Sequence, residues 1–260
     1  MPENIFDLNG KVALITGGNG GIGLGMATGL ARAGADVVIW GRNTAKNEQA
    51  EKVLSEFGTS VLVQQVDVTD EAAVVGAFGE ALATTGRLDF VAANAGTGWE
   101  CPFDELTTDA WRQIVTLNLD SAFWLFREAC RHMVQRATEG DAGGSLLVSS
   151  SIAALNNPPR AQAYASSKAA VIALVRSIAA EYGRHGIRAN ALLPGFIRSD
   201  LSAHLQANDK FNDIVIRRRV PMNRWGEPGD FAGLAVYLAS GLSSFHTAQA
   251  FVVDGGYTNS

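Results

Sequence analysis

A short apolar run followed at once by a glycine-rich turn constrains the fold of this chain more than any other stretch. Residues 11–15 read Lys-Val-Ala-Leu-Ile and predict a buried strand. Residues 16–23 read Thr-Gly-Gly-Asn-Gly-Gly-Ile-Gly, and a helical pattern then continues through Ala33. Strand, glycine-rich turn and helix form the arrangement that binds dinucleotides, because the glycines let backbone N–H groups approach the pyrophosphate at the helix N-terminus. A glycine-rich tight turn without a ligand is the alternative.

The second predicted strand, residues 36–40, indicates which dinucleotide the turn would bind. An acidic residue at the C-terminal end of this strand would bind the ribose 2′-hydroxyl of NAD, but Gly41 and Arg42 stand there. An arginine offers a planar cation to a 2′-phosphate. We therefore expect a preference for NADP(H). Use of NAD(H) stays possible, because the turn contains Asn19 and no second basic residue; the alternative for Arg42 is a solvated side chain at a strand end.

The rest of the chain alternates between predicted strands and predicted helices. The strands are expected at 61–66, 88–93, 145–148, 187–193 and 248–253, and the helices at 45–57, 71–84, 107–135, 161–182 and 228–240. This alternation predicts an α/β fold with a parallel, doubly wound sheet of about seven strands, with helices on both faces. No repeat or linker interrupts it, so we expect a single domain.

Tyr164 and Lys168 lie four residues apart in the helical run 161–182. Side chains at that spacing share one helix face. A lysine ammonium within a few Å favours the phenolate and lowers the tyrosine pKa from about 10 by roughly 1–3 units. The pair is therefore a candidate for general acid–base catalysis near neutral pH. The spacing alone also occurs on ordinary solvent-exposed helices.

Composition excludes several classes of function. The 260 residues carry a formal net charge of −5, which argues against nucleic acid or an anionic membrane as partner. No apolar run approaches the roughly 20 residues of a membrane span, and residues 1–11 lack the hydrophobic segment of a secretion signal. Cys101 and Cys130 suggest reduced thiols in a cytoplasmic protein. The four histidines have no zinc-motif spacing, so no metal site is expected.

Taken in order, the motifs resemble those of the short-chain dehydrogenase/reductase family over nearly the whole chain. The match consists of a glycine-rich coenzyme motif, an adenine-side pair, an Asn-Ala-Gly turn, an active-site asparagine, a serine, a Tyr-x-x-x-Lys pair and a Pro-Gly pair. In this sequence these are Thr16, Gly17, Gly21 and Gly23; Asp67 and Val68; Asn94, Ala95 and Gly96; Asn118; one of Ser149, Ser150 and Ser151; Tyr164 and Lys168; Pro194 and Gly195.

The resemblance implies hydride transfer between a nicotinamide and a carbonyl or alcohol carbon. It assigns catalysis to Asn118, Ser151, Tyr164 and Lys168, with Ser151 favoured because family members usually have this serine 13 residues before the tyrosine. Ser151 would orient the carbonyl, Tyr164 would exchange its proton, Lys168 would tune Tyr164 and hold the nicotinamide ribose, and Asn118 would fix a water. The implied coenzyme contacts are Gly17, Asn19, Gly21, Ile22, Gly23, Arg42, Asp67, Val68, Asn94, Ala95, Gly96, Tyr164, Lys168, Pro194, Gly195, Ile197 and Ser199. Ser199 stands where many members carry threonine.

The substrate is left open by the sequence. The chain is similar to 3-oxoacyl-acyl-carrier-protein reductases and to sugar or polyol dehydrogenases. Residues 196–225 are expected to cover the substrate; the candidate lining residues are Trp99, Asn156, Asn157 and His204. The apolar side chains of Phe196, Leu201, Leu205 and Phe211 would either face the pocket or pack the lid. Arg217, Arg218 and Arg219 would form a solvated face or meet an anionic partner.

Helix 161–182 predicts an oligomer, because its alanine and aliphatic residues occupy more than one face. Family members commonly pair through this helix and the long one before it, so we expect a homotetramer. Two other classes compete with an enzyme: a non-catalytic NADP-binding sensor, and a purely structural oligomer. The combined serine, tyrosine, lysine and asparagine set argues against both.

Overall fold

Seven parallel strands form one sheet in the order β3-β2-β1-β4-β5-β6-β7. The computed structural model describes residues 5–98 and 100–260. The strands are β1 Val12–Thr16, β2 Asp36–Gly41, β3 Val61–Gln65, β4 Phe90–Ala93, β5 Gly144–Ser149, β6 Ile187–Pro194 and β7 Ala250–Val253. The predicted α/β, doubly wound sheet is confirmed, and each strand lies within about two residues of its expected bounds.

Helices cover both faces of the sheet, as the alternation along β1 requires. Val12 and Leu14 point into one buried cluster and Ala13 and Ile15 into the other, because successive side chains of a strand face opposite sides. Helices α3, α5 and α7 pack on the first face and α1, α2 and α11 on the second. Their bounds are α1 Gly21–Arg32, α2 Thr44–Ser55, α3 Glu71–Thr85, α5 Ser121–Thr138, α7 Gln162–Tyr182 and α11 Ala232–Ala239.

The helix predicted at 107–135 is not continuous. It begins at α4 Thr108–Val115, capped by Thr107, whose hydroxyl accepts the Ala110 N–H (3.2 Å). A π-helical turn, Thr116–Asp120, then separates α4 from α5. Apolar periodicity cannot reveal such a turn, because one wide turn barely shifts the buried face. Turns of this kind are frequent at functional sites, and this one carries Asn118.

The segment 196–225, which we call the lid, consists of short turns. They include α8 Ala203–Gln206, α9 Asp209–Phe211 and α10 Arg217–Arg219, and a further short helix that the sequence did not predict, α6 Ala153–Asn156, follows β5. Phe196 packs edge-to-face on Phe211 and Tyr257, with ring centroids 5.2 and 5.0 Å apart. Leu205 packs with the same group. Of the two alternatives for these apolar residues, packing of the lid holds for Phe196, Leu205 and Phe211.

Among the described residues, one helical stretch is long and apolar enough to pass a test for a membrane span, Gln162–His185 with a mean hydropathy of 1.2. It consists of α7 and the turn that follows. Core helices of globular proteins pass the same test, and α7 buries Val171 and Val175 completely against the sheet. The core therefore accounts for part of its apolar character, since 44% of this stretch is buried.

Candidate active site

Most of the predicted site residues lie along the edge where the seven strands end. In a parallel sheet the carboxyl ends of all strands meet at this edge, and the crevice outside it is where ligands bind. Thr16, Arg42, Asn94, Ser149 and Pro194 each end or directly follow a strand. The fold therefore gathers at one edge motifs that lie up to 180 residues apart in the sequence.

The glycine-rich turn after β1 is built for close approach of a ligand to its backbone. Gly17 and Gly21 have φ of +64° and +48°, a region that favours glycine. A Cβ at Gly23 would lie 2.2 Å from the Gly17 carbonyl oxygen, so α1 can pack here only as glycine. A Cβ at Gly20 would meet no atom of the described residues within 4 Å. The turn thus presents open space beside the start of α1, which fits the pyrophosphate of a dinucleotide.

Asn19 braces this turn against the end of β2. Its amide nitrogen donates to Asn47 Oδ1 (2.7 Å), and Asn47 Nδ2 donates to the Gly41 carbonyl (3.0 Å). A Cβ at Gly41 would lie only 2.1 Å from Asn19 Nδ2, so the contact requires glycine there. Burial of Asn47 could not be predicted, because an asparagine inside a polar helix resembles a surface residue. Asn19 therefore shapes the turn, in addition to any ligand contact.

Arg42 lies at the end of β2 with 65% of its side chain exposed. Its guanidinium faces the Asp67 carboxylate at 3.7 Å. The pKa of Asp67 is lowered, chiefly by hydrogen bonds from the Thr69 backbone and hydroxyl and to a smaller extent by Arg42. Val68, the other half of the predicted adenine-side pair, is buried in the core. Arg42 and Asp67 thus form the rim of the groove beyond β2 and β3.

A hydrogen-bonded chain ties together the ends of β1, β4 and β5. The Thr16 hydroxyl accepts the backbone N–H groups of Asn94 and Ala95, both at 2.9 Å. The Asn94 side chain donates to the Thr16 carbonyl (3.0 Å) and accepts from the Ser149 hydroxyl (2.8 Å). Asn94 and Ala95 are thereby fixed at the centre of the edge, next to the glycine-rich turn.

The structure gives the three neighbouring serines different partners. Ser149 donates to Asn94, and the buried Ser150 hydroxyl donates to the Lys168 carbonyl (2.6 Å), which fastens α7 to the end of β5. The Ser151 side chain instead lies close enough to Tyr164 to lower the pKa of the phenol, and its oxygen accepts the Ala153 N–H (3.0 Å). Of the three hydroxyls, that of Ser151 is the one that acts on the pKa of the tyrosine.

Lys168 is buried behind Tyr164. Its ammonium donates to the Ser149 carbonyl (2.7 Å) and lies 5.8 Å from the centroid of the tyrosine ring. Burial lowers the pKa of Lys168 to about 8, so the amine remains mostly charged at neutral pH. A Cβ at Gly96 would lie 3.1 Å from Nζ and 2.9 Å from Asn118 Oδ1, so this loop must approach both side chains as glycine.

The predicted lowering of the Tyr164 pKa is wrong for this structure. Burial of the phenol raises its pKa, and the nearby Ser151 side chain only partly opposes that shift. The expectation considered the lysine charge alone and left out the desolvation of the phenolate, which disfavours the charged form. Tyr164 is therefore a protonated phenol at neutral pH.

Asn118 lies buried in the π-helical turn with both of its side-chain donors engaged. Its Oδ1 accepts the Thr97 N–H (2.9 Å), and its Nδ2 donates to the Thr97 carbonyl (2.9 Å) and to the Ser167 hydroxyl (3.1 Å). Ser167 in turn donates to the Tyr164 carbonyl (2.8 Å). Asn118 thus links the loop after β4 to the helix that carries Tyr164 and Lys168.

The remaining predicted coenzyme residues lie at the start of α1 and at or after the end of β6. The Pro194 carbonyl accepts the Ile152 N–H (3.2 Å), and Gly195 lies so close to Asp254 that a Cβ would come within 2.6 Å of that residue. Ile197 is buried and forms a bridge with Gly226. A Cβ at Gly21 would lie 3.4 Å from the Ser199 Cβ, which brings the lid to the glycine-rich turn. Ile22 packs in the core beneath.

The predicted substrate-lining residues that the structure describes lie on the surface of the protein. Asn156, Asn157 and His204 are exposed, and Trp99 lies outside the described residues. Leu201 is half exposed, and a Cβ at Gly98 would lie 3.9 Å from its Cδ1, so it faces the loop after β4. In 5–98 and 100–260, no three His, Cys, Asp or Glu residues cluster as they would around a metal ion.

The basic run Arg217–Arg219 lies exposed on α10. Arg218 pairs with Asp213 (2.7 Å), and the Arg219 guanidinium lies 4.6 Å from the centroid of the Tyr257 ring. These contacts are those of a solvated charged face of the lid itself.

Comparison with known proteins identifies the family to which this chain belongs. A family model described as enoyl-(acyl carrier protein) reductase matches residues 17–258. Gluconate 5-dehydrogenase of Gluconobacter oxydans is 34% identical over 255 residues, covering 98% of this chain and 97% of that protein. The chain belongs to the short-chain dehydrogenase/reductase family.

Relatives within this short-chain dehydrogenase/reductase family carry different substrate names. An NADP-dependent (R)-specific alcohol dehydrogenase of Lentilactobacillus kefiri is 37% identical over 254 residues, covering 96% of this chain and 98% of that protein. A crystal structure of a gluconate 5-dehydrogenase from Burkholderia cenocepacia, in complex with NADP and tartrate, superimposes with a TM-score of 0.92 at 35% identity, covering 99% and 98% of the two chains. The chain is accordingly an NAD(P)-dependent oxidoreductase that transfers a hydride between a nicotinamide and a carbonyl or secondary alcohol.

Proposed function

We propose that this chain is an NADP(H)-preferring carbonyl reductase or alcohol dehydrogenase with Tyr164 as its acid–base residue. One observation carries the assignment: Ser151 lies beside Tyr164 and the buried ammonium of Lys168, whereas the hydroxyls of Ser149 and Ser150 are hydrogen-bonded to Asn94 and to the Lys168 carbonyl. A hydroxyl donor, a phenol and a fixed cation converge at the carboxyl edge of the sheet. A reduction that places negative charge on a carbonyl oxygen needs these groups.

NADP(H), when bound, supplies or accepts the hydride. The two hydroxyls then act on the substrate oxygen. The Ser151 oxygen already accepts the Ala153 N–H, so its own proton is available for donation to a carbonyl oxygen. Tyr164 would give its proton to that oxygen as negative charge develops there. The raised pKa of Tyr164 keeps it protonated at neutral pH, which supports an acid role in the reductive direction.

Lys168 and Asn118 would support the proton transfer without contacting the substrate oxygen. An ammonium has three donors, and one of them goes to the Ser149 carbonyl, so two remain for a ribose hydroxyl and a water. Both Asn118 Nδ2 donors are taken by Thr97 and Ser167. A water at Asn118 would therefore bond an oxygen of this residue, and the side chain itself acts as a positioning group that holds the loop after β4 against α7.

The residues at the coenzyme groove support NADP(H) over NAD(H). Gly41 and Arg42 stand where a carboxylate would repel a 2′-phosphate, and the Arg42 guanidinium is mostly exposed at the groove rim. Asp67 at 3.7 Å competes for the same guanidinium, which supports some use of NAD(H) as well. The other residues proposed to contact the coenzyme remain those of the glycine-rich turn, the Asn94–Gly96 loop and the Pro194–Ser199 stretch.

The proposed substrate is a small ketone or secondary alcohol. Relatives are named for gluconate, 2-dehydro-3-deoxy-D-gluconate, sorbose and galactitol, and one is named an (R)-specific alcohol dehydrogenase. These share a secondary alcohol or ketone carbon and differ in what surrounds it. The lid, residues 196–225, would cover this carbon, with Leu201 near the loop after β4.

We also propose a cytoplasmic homotetramer. Trp111 and Phe123, on α4 and α5, expose 37% and 44% of their surfaces, and large exposed apolar side chains on neighbouring helices favour burial against another copy. Cys101 and Cys130 are free thiols in the described chain, which suits a reducing compartment.

A substrate panel with NADPH and NADH measured side by side tests the proposal. Oxidation of NADPH with at least one ketone or keto sugar, faster than with NADH at equal concentration, is the expected result. Binding of NADPH without turnover on any carbonyl of the panel would favour a coenzyme sensor. Failure to bind either coenzyme would favour a structural oligomer.

A further inference from the structure

An ion pair joins the first turn of α2 to the lid. Lys46 Nζ contacts Asp200 Oδ2. The Lys46 backbone N–H donates to Asn43, the capping residue directly after Arg42 (3.0 Å). Asp200 directly follows Ser199, the residue that approaches Gly21. The ion pair therefore connects the end of β2, where Arg42 lies, with the part of the lid next to the glycine-rich turn.

The two partners differ in how firmly they are held. The backbone around Asp200 is fixed, because Ser202 Oγ donates to the Ile197 carbonyl (2.6 Å) and Gln206 Nε2 donates to the Ser199 carbonyl (2.9 Å). Lys46 reaches across on a flexible four-carbon stem. Both side chains are largely exposed, 52% for Lys46 and 87% for Asp200, and exposed ion pairs are weak. Lys46 can therefore leave Asp200 at little cost when a stronger anion is present.

Arg42 alone would bind a phosphate weakly, because its guanidinium also interacts with the Asp67 carboxylate. A second cation at the same end of the groove would offset that carboxylate. Lys46 lies in the first turn of α2, four residues after Arg42, and its ammonium contacts Asp200 in the lid. A phosphate dianion beside Arg42 attracts an ammonium more strongly than a single exposed carboxylate does.

We propose that Lys46 is the second cation that recognises the 2′-phosphate of NADP(H), and that it exchanges Asp200 for this phosphate. The inference rests on the proposed preference for NADP(H). NADH offers no 2′-phosphate, so with NADH Lys46 stays on Asp200. Coenzyme identity thereby decides whether the lid is tied to α2.

Two nucleotide fragments without nicotinamide isolate the phosphate: adenosine 2′,5′-bisphosphate and adenosine 5′-monophosphate, each titrated by calorimetry. Lys46→Gln should lower the affinity for the bisphosphate about threefold to tenfold and leave the affinity for the monophosphate unchanged. Asp200→Asn should raise the affinity for the bisphosphate about twofold to fivefold. In the double variant that also carries Lys46→Gln, the substitution of Asp200 should no longer change this affinity. Lys52→Gln, an exposed lysine farther along α2, is the matched control and should change neither affinity.

Different failures would separate this inference from the proposed function. If the wild type prefers the bisphosphate and Arg42→Ala removes that preference while Lys46→Gln leaves it intact, only the inference about Lys46 is wrong. If Lys46→Gln and Asp200→Asn change the affinities for both nucleotides equally, the ion pair only joins α2 to the lid, and the proposed exchange is wrong. If the wild type binds both nucleotides equally, the preference for NADP(H) is wrong as well.

Discussion

Alanine substitutions of the three serines at the end of β5 should separate catalysis from stability. Ser151→Ala removes the hydroxyl beside Tyr164 and should lower kcat about 10²–10³-fold, the usual cost of losing one donor to a developing oxyanion. Its effect on folding should be small, because Ser151 accepts a single backbone N–H. Ser149→Ala and Ser150→Ala should each cost less than tenfold in kcat.

The stability costs should run in the opposite order. Ser150 is 4% exposed, and its hydroxyl holds the Lys168 carbonyl at 2.6 Å, so Ser150→Ala should lower the free energy of unfolding by about 1–2 kcal/mol. Ser149→Ala leaves Asn94 Oδ1 without this donor and should cost about 1 kcal/mol. For a chain of this size these values correspond to a fall in Tm of about 2–8 °C.

The assay combines steady-state reduction of the best ketone from the panel with thermal unfolding of each variant. Ser145→Ala is the matched control: Ser145 lies on the same strand and is 1% exposed, but its hydroxyl has no hydrogen-bond partner among the described residues. It should change neither kcat nor Tm appreciably. An inactive Ser150→Ala with unchanged Tm, or an active Ser151→Ala, would refute the assignment of the three hydroxyls.

Three further predictions concern the coenzyme, acid stability and assembly. Arg42→Ala should raise the KM for NADPH about tenfold and leave that for NADH almost unchanged; equal losses in steady-state assays would contradict the role of Arg42. His132 accepts the Leu88 N–H on Nε2 (3.2 Å), and burial, with the nearby Arg136, lowers its pKa below 6.5. The unfolded chain therefore binds the proton first, so urea unfolding should show stability falling as pH drops below about 6.5; an equally steep fall in His132→Gln would contradict this. Light scattering should give four times the 27.5 kDa chain mass, and a monomer at micromolar concentration would refute the tetramer.

Regular patterns in the sequence were enough for the architecture. Apolar runs such as 11–15 and 36–40 predicted strands that the structure places within a residue or two, because a buried parallel strand is a continuous apolar run. The start predicted for the helix 107–135 agrees with the start of α4, which the Thr107 hydroxyl caps. These features depend on neighbours in the sequence, which a single chain displays directly.

Features that depend on tertiary packing were beyond the sequence. The π-helical turn at Asn118 leaves the apolar pattern nearly unchanged, and the distinct partners of the three serines depend on where α7 lies. The pKa of Tyr164 was predicted in the wrong direction because burial could not be judged from spacing. The pairing of Lys46 with Asp200 joins residues 154 apart, and no local motif announces it.

The most direct test of the account is Tyr164→Phe, which removes the phenolic hydroxyl and keeps the ring. Turnover should fall about 10²–10⁴-fold, the range that general acid catalysis contributes. The Kd for NADPH, measured by fluorescence, should change less than about threefold, because the ring still packs over Lys168. A variant that retains kcat within about tenfold of the wild type would contradict the central claim that Tyr164 donates the proton.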